Sequence, residues 1–190
     1  MAADLAERGA PARGVGAERW AISADSVLLP TGELAQLDVV IEGDRIVSVL
    51  PRGQHALPVG RVVDARGSTL LPGLIDSHVH FSFSGDDGVV ENLLREPTRA
   101  QVARAAGNAQ RALAGGTTTA VDCGGRTEVV TTLRDSIAAG VIVGPRLLVS
   151  GAPLTTTAGH CHWLGGTADS DAELIRRARE LAVAGVDLIK

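Results

Sequence analysis

The amino-acid sequence predicts an α/β protein with a parallel sheet, preceded by a short all-β region. Three observations carry that expectation. Beyond residue 70, aliphatic runs of strand length alternate with amphipathic stretches of helical period. Before it, short apolar runs are punctuated only by tight turns. The chain is 45% hydrophobic yet has only two Phe, two Trp and no Tyr, so Val, Leu, Ile and Ala must form the core. Strands buried on both faces of a parallel sheet read as such aliphatic runs.

Residues 1–18 read as a flexible Ala/Gly/Arg leader. They hold no continuous apolar segment, so a secretory signal is not supported. Residues 19–69 follow as the all-β region. Its expected strands are Ala21–Leu29, Leu37–Ile41, the alternating Arg45–Val49, and Arg61–Ala65, with turns at Pro30-Thr31-Gly32 and Glu42-Gly43-Asp44. The pattern suggests a small sheet or sandwich.

Residues 70–190 carry the alternation. A first strand is expected over Thr69–Asp76. A helix over Thr98–Ala114 turns Val102, Ala105, Ala106, Ala109 and Leu113 inward and stops at Gly115-Gly116. The next strand is Thr117–Asp122, and the next helix Thr127–Ala139, with Val129, Val130, Leu133 and Ile137 inward. Strand Arg146–Ser150 follows. Ser170-Asp171-Ala172-Glu173 forms a capping box that opens a third helix to about Ala184, and Val186–Lys190 is a fourth strand. Alternation of this kind implies right-handed crossovers, and both a doubly wound sheet and a (β/α)8 barrel satisfy it. A chain ending on an apolar strand suggests a fragment of a longer polypeptide.

The formal net charge is −4, with both signs interspersed and no basic stripe, which argues against nucleic acid as a partner. The longest apolar runs fall far short of the ~20 residues needed to cross a bilayer, so no membrane partner is expected. Cys123 and Cys161 form no CxxC motif, and a reduced, cytoplasmic setting fits.

The chemistry concentrates at His78 and His80. Residues i and i+2 of an extended chain point to the same face, so both imidazoles can reach one ion while Val79 points away. Parallel α/β folds place their sites at the carboxyl ends of strands, where this pair lies. Imidazole nitrogen suits zinc and similar borderline ions. A catalytic zinc needs at least three protein ligands, and the remaining candidates are Asp76, Asp122, His160, His162 and Lys190. Asp76 shares the parity of the pair, and ligation, a hydrogen bond to a ligand, or a local cap are all open for it. A lysine ending an aliphatic strand is costly unless paired, chemically altered or reaching solvent.

The stretch Leu71-Pro72-Gly73-Leu74-Ile75-Asp76-Ser77-His78-Val79-His80 resembles the first-strand signature of the amidohydrolase superfamily. Gly116–Thr119 through Asp122–Gly125, Gly144–Gly151 and Ala184–Lys190 are similar to its second, third and fourth strands, and Asp64-Ala65-Arg66-Gly67 to the usual lead-in. The likeness is to the imidazolonepropionase-like or Xaa-Pro dipeptidase-like branch. It implies the first half of a (β/α)8 TIM barrel preceded by part of a small β-sandwich domain. It also implies that His78 and His80 bind a metal and that Lys190 is carboxylated, its carbamate bridging two zinc ions. A metal-activated hydroxide would then hydrolyse amide or cyclic C–N bonds. A mononuclear imidazolonepropionase- or deaminase-type hydrolase with a free Lys190 amine, or a non-catalytic homologue, is the alternative. The resemblance puts two further histidines and the general base, an aspartate, beyond the end of this chain, so the 190-residue piece is expected to be inactive. His160 and His162, on the loop after the third strand, become substrate-binding candidates. The implied partner is a small-molecule amide, dipeptide or cyclic amide, and a homo-oligomer is compatible with the sequence. Val121 stands where many relatives carry an arginine, which leaves Asp122 free to hydrogen-bond the Gly124-Gly125 turn.

Overall fold

A computed structural model describes residues 18–54 and 59–190. The expected leader therefore lies, apart from Glu18, outside the described residues. The chain divides into two compact units, one up to Pro72 and one from Gly73 to Lys190.

The first unit is a five-stranded sheet of β1 (Arg19–Leu28), β2 (Leu34–Ala35), β3 (Leu37–Glu42), β4 (Arg45–Pro51) and β5 (Arg61–Leu70). The turn after β1 closes through the Gly32 N–H to the Leu29 carbonyl, 2.9 Å, with Gly32 at φ 85°. β3 returns antiparallel to β1, and β4 pairs antiparallel with β3. β5 pairs parallel with β1 on its other flank. That pairing is interrupted between Ala24 and Ser26. There the Asp25 carboxylate accepts the Gly67 N–H at 2.7 Å and an Arg52 N–H at 3.0 Å. The Gly67 bond, with help from Arg52, holds the Asp25 pKa below its ordinary value. Ala24, Val27 and Val39 form the small core, with Leu37, Ile41, Ala65 and Leu70 against it.

The strand expected over Thr69–Asp76 is in fact two. Thr69 and Leu70 complete β5 in the first sheet, Leu71–Gly73 is a break, and β6 covers Leu74–Val79. Proline donates no N–H to a strand ladder and is confined to the margins of sheets, so Pro72 is a natural place for the chain to leave one sheet.

In the second unit β6 is followed by α1 (Val89–Arg95), α2 (Thr98–Ala114), β7 (Thr117–Asp122), α3 (Thr127–Ala138), β8 (Arg146–Val149) and α4 (Asp171–Val183). The strands form a parallel sheet in the order β6-β7-β8. Its core is Phe81, Ala105, Ala109, Ala120, Val130, Leu133, Leu147 and Val149, where α2 and α3 meet the sheet. Small alanines on α2 and branched residues on α3 allow the helices to sit close to the strands. The helix-period reading of α2 and α3 matches their bounds to within one residue.

Three details depart from expectation. α1 has no sequence signal of its own; its N-cap, Gly88, makes no side-chain hydrogen bond. It is tied down at its other end by the buried Gln101, whose Nε2 donates to the Leu93 carbonyl at 2.9 Å and to the Glu96 carbonyl at 3.1 Å. At α4, Ser170 Oγ accepts the Glu173 N–H, but Glu173 reaches back to the N–H of Asp169 rather than that of Ser170. The segment Val186–Lys190 is not a regular strand, because it meets its neighbours only through single bonds. The Asp187 N–H donates to the Val149 carbonyl and the Leu154 N–H to the Lys190 carbonyl, at 2.9 and 2.8 Å. Those two bonds nonetheless carry it alongside β8 to the sheet's carboxyl end.

Leu133→Ala should lower the unfolding free energy by about 2–5 kcal/mol, because its fully buried side chain would leave a cavity. Val183→Ala, at a side chain 90% exposed, should change it by less than about 0.5 kcal/mol. Urea denaturation of the two variants checks the core assignment.

Candidate metal centre

His78 is the penultimate residue of β6 and His80 lies one residue past its end, so the alternation of an extended strand brings both rings to one face. Their ring centroids are 5.3 Å apart, edge to face. Lys190 arrives from the other side of the sheet's carboxyl end, and its Nζ stands 3.3 Å from His78 Nε2. The structure thus brings together the three residues expected to ligate metal. Lys190 is half-buried rather than interior, and His78 is exposed.

His80 is held more tightly than His78. Its Nδ1 lies 2.7 Å from the Gly124 carbonyl. A carbonyl oxygen only accepts, so Nδ1 carries the proton and the Nε2 lone pair is left free. Burial, opposed by the Gly124 bond and assisted by Lys190 and His78, lowers the His80 pKa below its usual 6.5 and favours the neutral ring. A neutral imidazole with its other N–H bonded to a carbonyl is the form in which histidine ligates metal.

Asp122 organises the ground under this ring. It ends β7, is fully buried, and accepts the Phe81 N–H at 2.9 Å and the Gly124 N–H at 3.1 Å. The bond to the Gly124 turn agrees with the sequence reading; the bond to Phe81 is additional. Its carboxylate approaches His80 Nδ1 only to 4.0 Å, beyond a hydrogen bond. Burial pushes the Asp122 pKa up to about 6, against the pull of its two backbone donors. Asp76 turns onto its own strand and accepts the His78 N–H at 3.1 Å.

The loop after β8 carries His160 and His162. It is closed at its base by the Thr155 N–H to the Gly166 carbonyl, the Ala168 N–H to the Thr155 carbonyl, and Thr157 bonded to Asp169. A Cβ on Gly166 would meet the Pro153 carbonyl oxygen at 1.9 Å, so this close backbone contact admits only glycine. His160 is exposed, with Nε2 at 3.3 Å from Cys161 Sγ. His162 is also exposed and bonds the Gly159 carbonyl through Nδ1 at 3.0 Å. Both therefore have local bonds rather than contacts with the His78–His80 pair.

Two residues not singled out in the sequence stand beside the pair. Phe83 stacks on His80, centroids 4.6 Å apart and planes 12° from parallel, and Trp163 lies behind Phe83 at 5.8 Å. Only their aromatic character, in a chain so poor in aromatics, could have drawn attention to them.

Among the described residues, no group of three or more His, Cys, Asp and Glu side chains converges to hold a metal ion. The donor set is two imidazoles and a lysine amine. Its chemistry fits a divalent metal, since His80 presents a free lone pair and His78 Nε2 shares its space with Lys190.

The amidohydrolase family model matches residues 69–190. The chain belongs to the amidohydrolase family. It is 45% identical over 74 residues to an adenine deaminase of Cereibacter sphaeroides, 35% of this chain and 12% of that protein. It is 39% identical over 67 residues to an imidazolonepropionase of Symbiobacterium thermophilum, 33% of this chain and 15% of that one. Among solved structures, it is similar to a Xaa-Pro dipeptidase with methionine bound in its active site, TM-score 0.77 at 25% identity, over 90% of this chain and 46% of that one. An ochratoxinase of A. niger matches with TM-score 0.75 at 25% identity over 91% and 46%. The solved relatives are amidohydrolase TIM barrels, which identifies the β6-β7-β8 sheet and its helices as part of such a barrel. The amidohydrolase chain spans less than half of these structures and a smaller share of its curated relatives. The family generally binds divalent metals.

Asp122 provides a test by pH. Its folded pKa, about 6, lies above the ordinary 3.8, so between those values the folded state keeps a proton that the unfolded state has lost. Folding then takes up a proton, and the contribution of this group to stability declines as pH rises through the window. The stability of the metal-free protein relative to Asp122→Asn should fall between pH 3.8 and about 6 and level off above it. A difference independent of pH would show that Asp122 titrates normally.

Proposed function

We propose that the protein is a metal-dependent amidohydrolase that cleaves amide or cyclic C–N bonds in small molecules. The single observation that carries the reading is the 3.3 Å approach of Lys190 Nζ to His78 Nε2, beside a His80 ring whose Nε2 is kept free by Gly124. In this reading His78 and His80 hold zinc through their imidazole nitrogens. Lys190, carboxylated on its amine, contributes carbamate oxygens to a two-zinc centre. Carboxylation removes the positive charge that otherwise faces two imidazoles. When bound, the metals supply Lewis-acid polarisation of the carbonyl and an activated water.

The chain's own residues do the rest. Gly124 keeps the proton of His80 on Nδ1 and so leaves Nε2 as the ligating atom, while burial favours the neutral ring. Asp122 fastens the turns after β6 and β7 to each other, so that His80 meets its partners without rearrangement. His160 and His162, on the loop after β8, supply hydrogen-bonding groups toward a small substrate such as an amide, dipeptide or cyclic amide. We assign the general base to no residue of this chain. A cytoplasmic location is part of the same proposal.

A second reading has a specific observation in its favour: the curated relatives with 36–46% identity are adenine deaminases and imidazolonepropionases. It is a mononuclear hydrolase of deaminase or imidazolonepropionase type, in which Lys190 remains an amine. Metal content and the intact mass of Lys190 peptides separate the two. Two ions and a carbamate support the first; one ion and a free amine support the second.

His78→Asn and His80→Asn should each weaken equilibrium zinc binding and lower any hydrolysis of amide substrates by more than about a hundredfold. Wild-type zinc affinity and turnover in both variants would refute the reading.

A further inference from the structure

We propose that Phe83, backed by Trp163, is a positioning residue for His80: it fixes the plane of the imidazole that is to meet the metal. The inference rests on the reading of His80 as a ligand, and it concerns what sets that ligand's orientation.

The Gly124 hydrogen bond constrains His80 at one atom, Nδ1. A single bond to one ring atom leaves the ring free to swing about the Nδ1···O line, and so leaves the direction of the Nε2 lone pair undetermined. A flat surface parallel to the ring removes that freedom. Phe83 supplies it, at 4.6 Å between centroids and 12° between planes. The separation lies within the range of about 4.5–7 Å in which aromatic rings stack favourably.

Phe83 is itself held. Its N–H donates to the His80 carbonyl at 3.2 Å, closing a tight turn between the two rings. The turn is fastened at both carbonyls by Asn108 of α2, whose Nδ2 donates to the Phe81 carbonyl at 2.7 Å and the Phe83 carbonyl at 2.9 Å. Asp122 takes the Phe81 N–H between them. The backbone therefore has little freedom to carry Phe83 away. On its outer side Trp163, in the short 3-10 turn His162–Leu164, lies 5.8 Å from Phe83 and blocks the ring from tipping outward. A Cβ on Gly124 would come within 3.2 Å of His80 Cε1, so the ring also lies close against bare backbone. Half-buried Phe83 has no place in the core cluster of this unit, and core packing does not account for its orientation.

The test uses the 190-residue chain, metal-free and with zinc. In the metal-free wild type, nuclear Overhauser contacts should join the His80 ring protons to the Phe83 ring and to Gly124, with the His80 signals shifted by the stacked ring. Phe83→Leu, which keeps apolar bulk but not the flat face, should lose the His80–Gly124 contacts and weaken zinc binding about tenfold or more. Phe83→Tyr should restore both. Trp163→Leu leaves the Phe83 turn intact and should loosen the same contacts to a lesser degree. If Phe83→Leu fails to fold, Trp163→Leu decides: loosened His80 contacts support the proposal and unchanged ones overturn it. Retention of the His80–Gly124 contacts and of wild-type zinc affinity in Phe83→Leu overturns it. Should the wild type bind no zinc, the functional reading fails, while the ring contacts of the metal-free chain still judge Phe83: loss in leucine and return in tyrosine support its role, and persistence in leucine overturns it.

Discussion

A buried carboxylate at the end of β7 sets the terms for the whole site. Asp122 has no exposure to solvent and is drawn toward its protonated form, yet it holds two backbone N–H groups, one from the turn after β6 and one from the turn after β7. Burying such a group costs several kcal/mol in isolation, so it must be matched by partners with good geometry. Those partners are the two turns that carry His80 and the carbonyl that orients it. The arrangement converts a local hydrogen-bonding requirement into a fixed distance between neighbouring strand ends.

The parallel sheet makes this economy of parts workable. Neighbouring strands run in one direction, so the ends of β6, β7 and β8 and the arriving Lys190 gather at one edge. Helices α2 and α3 cover the sheet with Ala105, Ala109, Val130 and Leu133 and leave that edge to loops. Asn108 then projects from the same helix that supplies the core alanines and fastens the turn bearing Phe83. Packing on one face and polar fastening at the edge are thus two uses of one element. Chemistry of this kind needs rigid support more than it needs many functional groups.

Much of this was legible from residues alone, and the reason is periodicity. The parity of His78 and His80 follows from two-residue alternation, and the limits of α2 and α3 from a 3.6-residue repeat bounded by glycine or a β-strand. What escaped was governed by contacts between distant residues. The break at Leu71–Gly73 depends on Leu70 finding a partner in β1. α1 depends on Gln101, whose side chain fastens its C-terminal end. The capping motif at Ser170 was visible, but which N–H Glu173 reaches was decided by the loop before the helix. Phe83 and Trp163 carry no motif; they matter because a turn and a loop, 80 residues apart in number, bring their rings beside His80. Lys190 is an intermediate case: its oddness was visible in the chain, while its proximity to His78 required the folded edge.

The central claim is that His78 and His80 bind one metal ion, with Lys190 beside it, and the coordination shell of that ion tests it most directly. X-ray absorption spectroscopy of the zinc-loaded protein should show two imidazole nitrogens at about 2.0–2.1 Å, with the rest of the shell made of oxygen or nitrogen. Loss of one imidazole in each of His78→Asn and His80→Asn should follow. A shell without imidazole scattering, or one containing thiolate sulfur at about 2.3 Å from Cys123 or Cys161, would contradict the account.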